Sequence, residues 1–122
     1  MKVIEKYERG IENGDEHLLN EVFAPRVRVE VPDGASGNHP VDTASYILSQ
    51  VAKTAPGIKC TLTADAGNNW HFLGFEGQIE GQKLQAVDQV HLNRDGKIDH
   101  LVIYMRPIPA AQKFVEAIAQ RI

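Results

Sequence analysis

The chain predicts an α+β fold in which helices gather on one side of a curved antiparallel sheet. Apolar residues recur at helical spacing near both ends of the chain. Between them the spacing falls to two over several short segments separated by Gly, Asn and Asp turns. With 122 residues, 43% hydrophobic and 24% charged, the composition suits one globular domain over 1–122.

Val3, Ile4, Tyr7 and Ile11 form an apolar stripe between charged residues and predict a first helix, ended by Asn13-Gly14. Asp15 is a good N-cap for a second short helix with Leu18, Leu19, Val22 and Phe23 inward, stopping before Pro25. From Arg26 the period changes: Val27, Val29 and Val31 point one way, Arg26, Arg28 and Glu30 the other, until Pro32-Asp33-Gly34. A loop is expected over Ala35 to His39, then a helix opened by Pro40, with Val41, Ala44, Ile47, Leu48 and Val51 on its apolar face. After Pro56-Gly57 a meander follows. Ile58, Cys60, Leu62 and Ala64 alternate with Lys59, Thr61, Thr63 and Asp65, and a turn over 66–69 leads to a strand from Trp70 to Phe75. Glu80-Gly81 and Arg94-Asp95-Gly96 mark the reversals around strands over 83–92 and 97–105. Pro107 opens a last helix with Ile108, Ala111, Phe114, Val115 and Ile118 near one face.

The composition excludes several classes of function. A formal net charge of -3 and scattered Lys and Arg argue against nucleic-acid binding, which needs a basic stripe. No run reaches the length of a membrane span, and the first residues mix charge into every turn, so no signal-peptide core or membrane partner is expected. The single cysteine, Cys60, forms no internal disulfide, which points to a reducing, cytoplasmic setting. No phosphate-cradling motif is present, and the five histidines do not cluster. His91 and His100 lie on opposite limbs of one hairpin without a completing ligand, so neither cofactor nor metal is expected.

Asp88 is the anomaly of the sequence. Alternation puts it in one row with Ala86, Val90 and Leu92, so a carboxylate lands on an apolar face. A buried Asp must be hydrogen-bonded, charge-paired, or kept neutral by a raised pKa, and the last state suits acid/base work. A structural pairing with a nearby base is the plainer alternative. Tyr7, on the apolar stripe of the first helix, can face the same interior, although a core tyrosine bonded to a carbonyl explains it as well. His71 alternates with Leu73 and Phe75 and is a further candidate, against the plainer reading of a satisfied structural histidine. Ser45 and Ser49 have no base beside them, and Cys60 is a weak nucleophile candidate.

Taken with their order, the segments IENGD (Ile11 to Asp15), VRVEVPDG (Val27 to Gly34) and AVDQVHLNRDGKIDHLVIYMR (Ala86 to Arg106), together with Tyr7, resemble the nuclear transport factor 2-like superfamily. Within it they are most similar to the SnoaL-like and ketosteroid isomerase-like group, over nearly the whole chain. The resemblance implies a cone-shaped, cystatin-like α+β barrel whose concave face holds an apolar pocket. Val31, Ile58, Cys60, Leu73, Phe75, Leu101, Ile103 and Met105 would line it, with Val27, Val29, Leu62 and Ala86 beside them. Trp70, Phe72, Val87, Val102 and Tyr104 would form an apolar outer face and imply a homodimer.

In ketosteroid isomerases a Tyr on the first helix and a protonated Asp on a late strand donate to the developing enolate, a case in which an apolar site keeps a carboxylic acid neutral. Tyr7 and Asp88 match these two donors by position. The residue aligned with the family's proton-carrying Asp is Val31, which accepts no proton; Glu30 faces outward and Asp33 lies in the next loop. In SnoaL-like polyketide cyclases a pocket Asp is itself the acid/base, a role Asp88 would fill with Tyr7 or His71 polarising the carbonyl. The resemblance thus implies an apolar, carbonyl-bearing small molecule as partner, with isomerisation or cyclisation as the chemistry. The rival reading is a non-catalytic binding or dimerisation module that has lost its base. Hydration chemistry of the epoxide hydrolase type ranks below both, because no inward Asp-Arg-Asp set is apparent.

Overall fold

A computed structural model describes residues 1–122. Helix α1 (Val3–Asn13) ends at Gly14, whose φ of 62° is the left-handed conformation that glycine adopts without penalty. The Asp15 carboxylate accepts from the Leu18 N–H at 3.0 Å and caps α2 (Glu16–Val22). Strand β1 (Phe23–Glu30) follows without a loop, then β2 (Ser36–Pro40), α3 (Val41–Ser49) and the single turn α4 (Val51–Thr54). Strands β3 (Lys59–Gly67), β4 (Trp70–Ile79), β5 (Gln82–Leu92) and β6 (Ile98–Arg106) form the meander, and α5 (Ile108–Arg121) completes the chain.

The six strands make one curved sheet in the order β2-β1-β6-β5-β4-β3, open at both edges. All pairs are antiparallel except β1 with β6, where Val29 lies opposite Leu101. The helices cover the concave face, and Tyr7, Leu19, Val27, Leu48, Leu73, Val90 and Leu101 are sealed in the core between the two layers. No helix is long and apolar enough to cross a membrane.

Four departures from the sequence pattern are present, three of them with local causes. Residues 36–40 form an edge strand, where a loop is expected: SGNHP has no apolar row because its inward positions are Gly37 and His39. Phe23 and Pro25 belong to β1, because Pro25 needs no ladder bond there and Phe23 packs edge-on against the Tyr7 ring at 6.1 Å. Strand β4 runs on to Ile79, beyond the expected end at Phe75. In β3 the register slips between Cys60 and Leu62, so Thr61 is an extra, bulged residue. Beyond the bulge the faces exchange: Cys60 still points to the concave side, while Leu62 and Ala64 turn to the convex side instead of the pocket. Leu62 lies over Gly74 there, 58% exposed.

At the C-terminal end Ile108 is 80% exposed, and Ala110 and Phe114 carry the buried contacts of α5. The hairpin turns follow the expected chemistry. Asn68 and Asn69 take φ of 55° and 66° at one reversal, and Glu80 and Gly81 take 50° and 76° at the next.

The approach of α2 to α1 depends on Gly10. A Cβ at this position would stand 2.7 Å from Leu19 Cδ2, and Leu19 is fully buried with nowhere to move. Gly10→Val is expected to destabilise the fold by about 2 kcal/mol or more through overpacking, despite gaining helix propensity; urea denaturation measures this.

Candidate active site

The curvature of the sheet leaves a cavity of about 360 Å³ between the concave face and the helices. Its walls come from β1 (Val29, Val31), β6 (Ile103, Met105), α3 (Ile47, Leu48) and α5 (Phe114, Val115, Ile118), with Ile11 of α1, Ile58 and Phe75 completing the apolar lining. Asp33, His39 and Asp88 are the titratable side chains in this lining. Asp33 also lines an outer groove with Pro32, Met105 and Val115, so the 32–33 turn and α5 frame the mouth.

Asp88 lies deep in the cavity. On β5 it stands opposite Leu73 of β4 and Ile103 of β6, and only 5% of its surface is exposed. The Tyr7 hydroxyl donates to Asp88 Oδ2 at 2.6 Å, a short bond of the kind made to an ionisable acceptor. Oδ1 takes no bond within the chain and is not a sealed, unpartnered atom; it opens toward the cavity. Burial pushes the Asp88 carboxyl from 3.8 up to about 7, and the Tyr7 hydrogen bond opposes part of that rise. Tyr7 itself is raised well above 10, first by burial and then by the Asp88 charge.

The structure thus brings Tyr7 and Asp88 together but in series. Tyr7 is fully buried and absent from the cavity lining, so it reaches a ligand only through Asp88 and cannot polarise a bound carbonyl directly. The phenol that the resemblance would aim at the ligand instead holds the carboxylate from behind.

The other candidates divide. Val31, Ile58, Phe75, Ile103 and Met105 line the cavity. Leu73 and Leu101 share the concave face but are fully buried core, packed where the cone narrows, and do not border the cavity. Cys60 lies outside the lining on a half-exposed edge; its N–H donates to Glu12 Oε2 at 2.8 Å, and burial together with Glu8 pushes its thiol up to about 11, which leaves it a poor nucleophile. His71 occupies the concave side opposite Val90, one inward position beyond Leu73, which separates it from Asp88; it does not border the cavity.

His39 enters the cavity although the sequence pattern leaves it in a loop. On β2, His39 and Gly37 face Val27 and Val29 across the ladder and so share the concave side; no apolar alternation in SGNHP marks this. On the convex face, His100 and Glu30 meet at 2.6 Å and His91 and Asp99 at 2.7 Å, flanking Trp70. No group of three or more potential metal ligands is present.

No family model and no curated protein matches the chain by sequence. Solved structures do. One is a protein with a cystatin-like fold from Silicibacter pomeroyi DSS-3, with TM-score 0.90 and 22% identity over 98% of this chain and 84% of that one. A steroid delta-isomerase from Pseudomonas aeruginosa superposes with TM-score 0.85 and 20% identity, covering 98% and 88% of the two chains. The chain has the cystatin-like, nuclear transport factor 2-like fold. SalBIII, an epoxide hydrolase/cyclase-like enzyme with a role in pyran ring formation in the polyether salinomycin, has this fold too, with TM-score 0.69 and 16% identity over 88% and 90% of the chains. Enzymes of this fold include isomerases and cyclase-like proteins.

The Asp88 environment sets a pH dependence of stability. The unfolded chain releases this proton near 3.8 and the folded chain only near 7, so between those values the unfolded state binds fewer protons and stability falls as pH rises. The contribution is fully present below about 4 and is lost above about 7, on the order of 4 kcal/mol in all. Asn in place of Asp still accepts from Tyr7 but carries no charge. In urea denaturation at pH 4 to 8, Asp88→Asn should flatten this slope and exceed the wild type in stability at pH 8.

Proposed function

We propose that the chain binds a largely apolar, carbonyl-bearing small molecule in the conical cavity and moves a proton on it through Asp88. The observation that carries the reading is a deeply buried carboxyl, with a pKa of about 7, whose free oxygen opens into a largely apolar cavity. Both protonation states are populated at neutral pH, which suits a group that must take and return a proton. As carboxylate, Asp88 Oδ1 accepts the proton from the carbon next to the carbonyl; the C–H pair moves into the new C=C bond and the carbonyl electrons onto oxygen, giving an enolate. Return of the proton to a conjugated carbon completes an isomerisation; alternatively the enolate carbon attacks a second carbonyl of the same molecule, that C=O pair moves onto its oxygen, and Asp88 gives its proton to the resulting alkoxide to complete a ring closure. The isomerase and the cyclase-like enzyme sharing the fold support these two outcomes. Tyr7 is a positioning residue: its O–H fixes the carboxyl and tempers its basicity.

A β,γ-unsaturated fused-ring ketone tests the reading, because isomerisation to the conjugated enone is followed by absorbance. Activity should rise with pH through about 7, since the ionised form is the acceptor; a fall over that range would make Asp88 a donor instead. Asp88→Asn should lower turnover about 10³-fold while retaining the fold. Tyr7→Phe removes the one bond favouring the charged form, so the rising limb should move up by about one pH unit.

A specific observation favours binding without turnover. Val31 stands in the cavity wall where the resemblance places the proton-carrying Asp, so Asp88 has no second carboxylate deep in the cavity to share the work. Failure to exchange the ketone's α-protons in D₂O, with binding retained, selects that reading.

The outer face supports a homodimer. Leu62, Phe72, Val87, Val102 and Tyr104 run across four adjacent strands on the convex side, with Leu62 58% and Tyr104 52% exposed. A second copy would cover this strip. Light scattering at micromolar concentration should report a dimer, and Tyr104→Glu a monomer. Together with the lone free cysteine, these features fit a cytoplasmic small-molecule enzyme.

A further inference from the structure

The cavity has a second polar group that the proton-transfer reading does not use. His39 faces the concave side from β2, half-buried, with neither a hydrogen-bond nor an ion-pair partner in the chain. Its ring lies back over Gly37: a Cβ there would stand 3.1 Å from Nε2, so glycine leaves the space the imidazole occupies. Strands β1 and β6 separate β2 from Asp88 on β5. That is three strand intervals, about 14 Å at the usual spacing, with a further offset along the strands because His39 pairs with Val27 while Asp88 pairs with Ile103, beyond the Leu101 that faces Val29; the curvature of the sheet shortens the path across its concave side. Val29, Val31 and Ile103 occupy the wall between them.

An unpartnered imidazole in an apolar cavity is an unused hydrogen-bonding group that a ligand can satisfy. We propose that His39 is a specificity residue that hydrogen-bonds a second, uncharged polar group, a hydroxyl or carbonyl, at the far end of an elongated fused-ring ligand whose reacting end meets Asp88. The separation of the two groups fixes the shape: one rigid apolar skeleton, polar at both ends. Asp33 fixes the charge. Its carboxylate, anchored by the Ala35 N–H at 2.9 Å, lines the same cavity at the mouth and disfavours an anionic distal group. The proposal rests on Asp88 being the ligand's first contact, since a hydroxyl at that end is what orients the other toward His39.

Three naphthalene probes test it by calorimetry: 2-naphthol, whose hydroxyl mimics the enol expected at Asp88, 2,6-dihydroxynaphthalene, and 6-hydroxy-2-naphthoic acid. The dihydroxy compound should bind about tenfold tighter than 2-naphthol, twofold of that being its symmetry, and the carboxylate should gain nothing. In His39→Ala the tenfold ratio should fall to about twofold, and His39→Gln, which keeps a hydrogen-bonding amide, should recover part of it. A wild-type ratio near twofold, a ratio unchanged in His39→Ala, or a tighter-binding carboxylate would overturn the His39 assignment, while 2-naphthol binding that is lost in Asp88→Leu would leave the Asp88 reading standing. If 2-naphthol does not bind, or binds equally to Asp88→Leu, both readings fall.

Discussion

The desolvation of one carboxyl group governs the chemistry of this cavity. Moving an ionised Asp out of water costs several kcal/mol, and a single neutral hydrogen bond returns only part of it. Asp88 receives one such bond, from Tyr7, and no cation lies beside it. The result is a carboxyl poised near neutrality. A second donor or an arginine in that row would hold the group ionised at all working pH values and remove its value as a proton carrier.

The rest of the architecture maintains that balance. Tyr7 reaches Asp88 because α1 lies along the concave face, and α1 sits there because its stripe of Ile4, Tyr7 and Ile11 has nowhere else to be buried. Gly10 lets α2 close against the back of α1, and the edge-on contact with Phe23 holds the phenol ring. Strand curvature leaves the space in front of Asp88, and α5 walls one side of it with Phe114, Val115 and Ile118. Stability is sacrificed at one position, and the surrounding apolar core tolerates it, as is common where a site must hold a strained charge.

Much of this was legible in the residues. The apolar row containing Asp88, the stripe containing Tyr7 and the glycine- and asparagine-marked turns follow directly from period and turn chemistry, and the element order carried the fold. What was not legible depended on events that periodicity does not encode. A single bulge at Thr61 turned Leu62 and Ala64 to the outer face, because one extra residue reverses every later side chain in a strand. The strand 36–40 and the inward side of His39 leave no mark in the sequence, because an edge strand of Ser, Gly, Asn, His and Pro has no hydrophobic alternation. The in-line order of Tyr7 and Asp88 was equally hidden: sequence puts both on inward faces, but only depth decides which of them meets a ligand. Leu73 and Leu101 failed to border the cavity for the same reason, since inward on a cone means core at its narrow end and wall at its wide end.

The central claim is that Asp88 is a nearly neutral carboxyl held by Tyr7 and open to the cavity. Carbon-13 NMR of the Asp88 carboxyl, assigned by its absence in Asp88→Asn and followed from pH 3 to 9, reads this directly. The account requires a midpoint near 7 in the folded protein and a higher one in Tyr7→Phe. A midpoint near 4, unmoved by loss of the phenol, would contradict it.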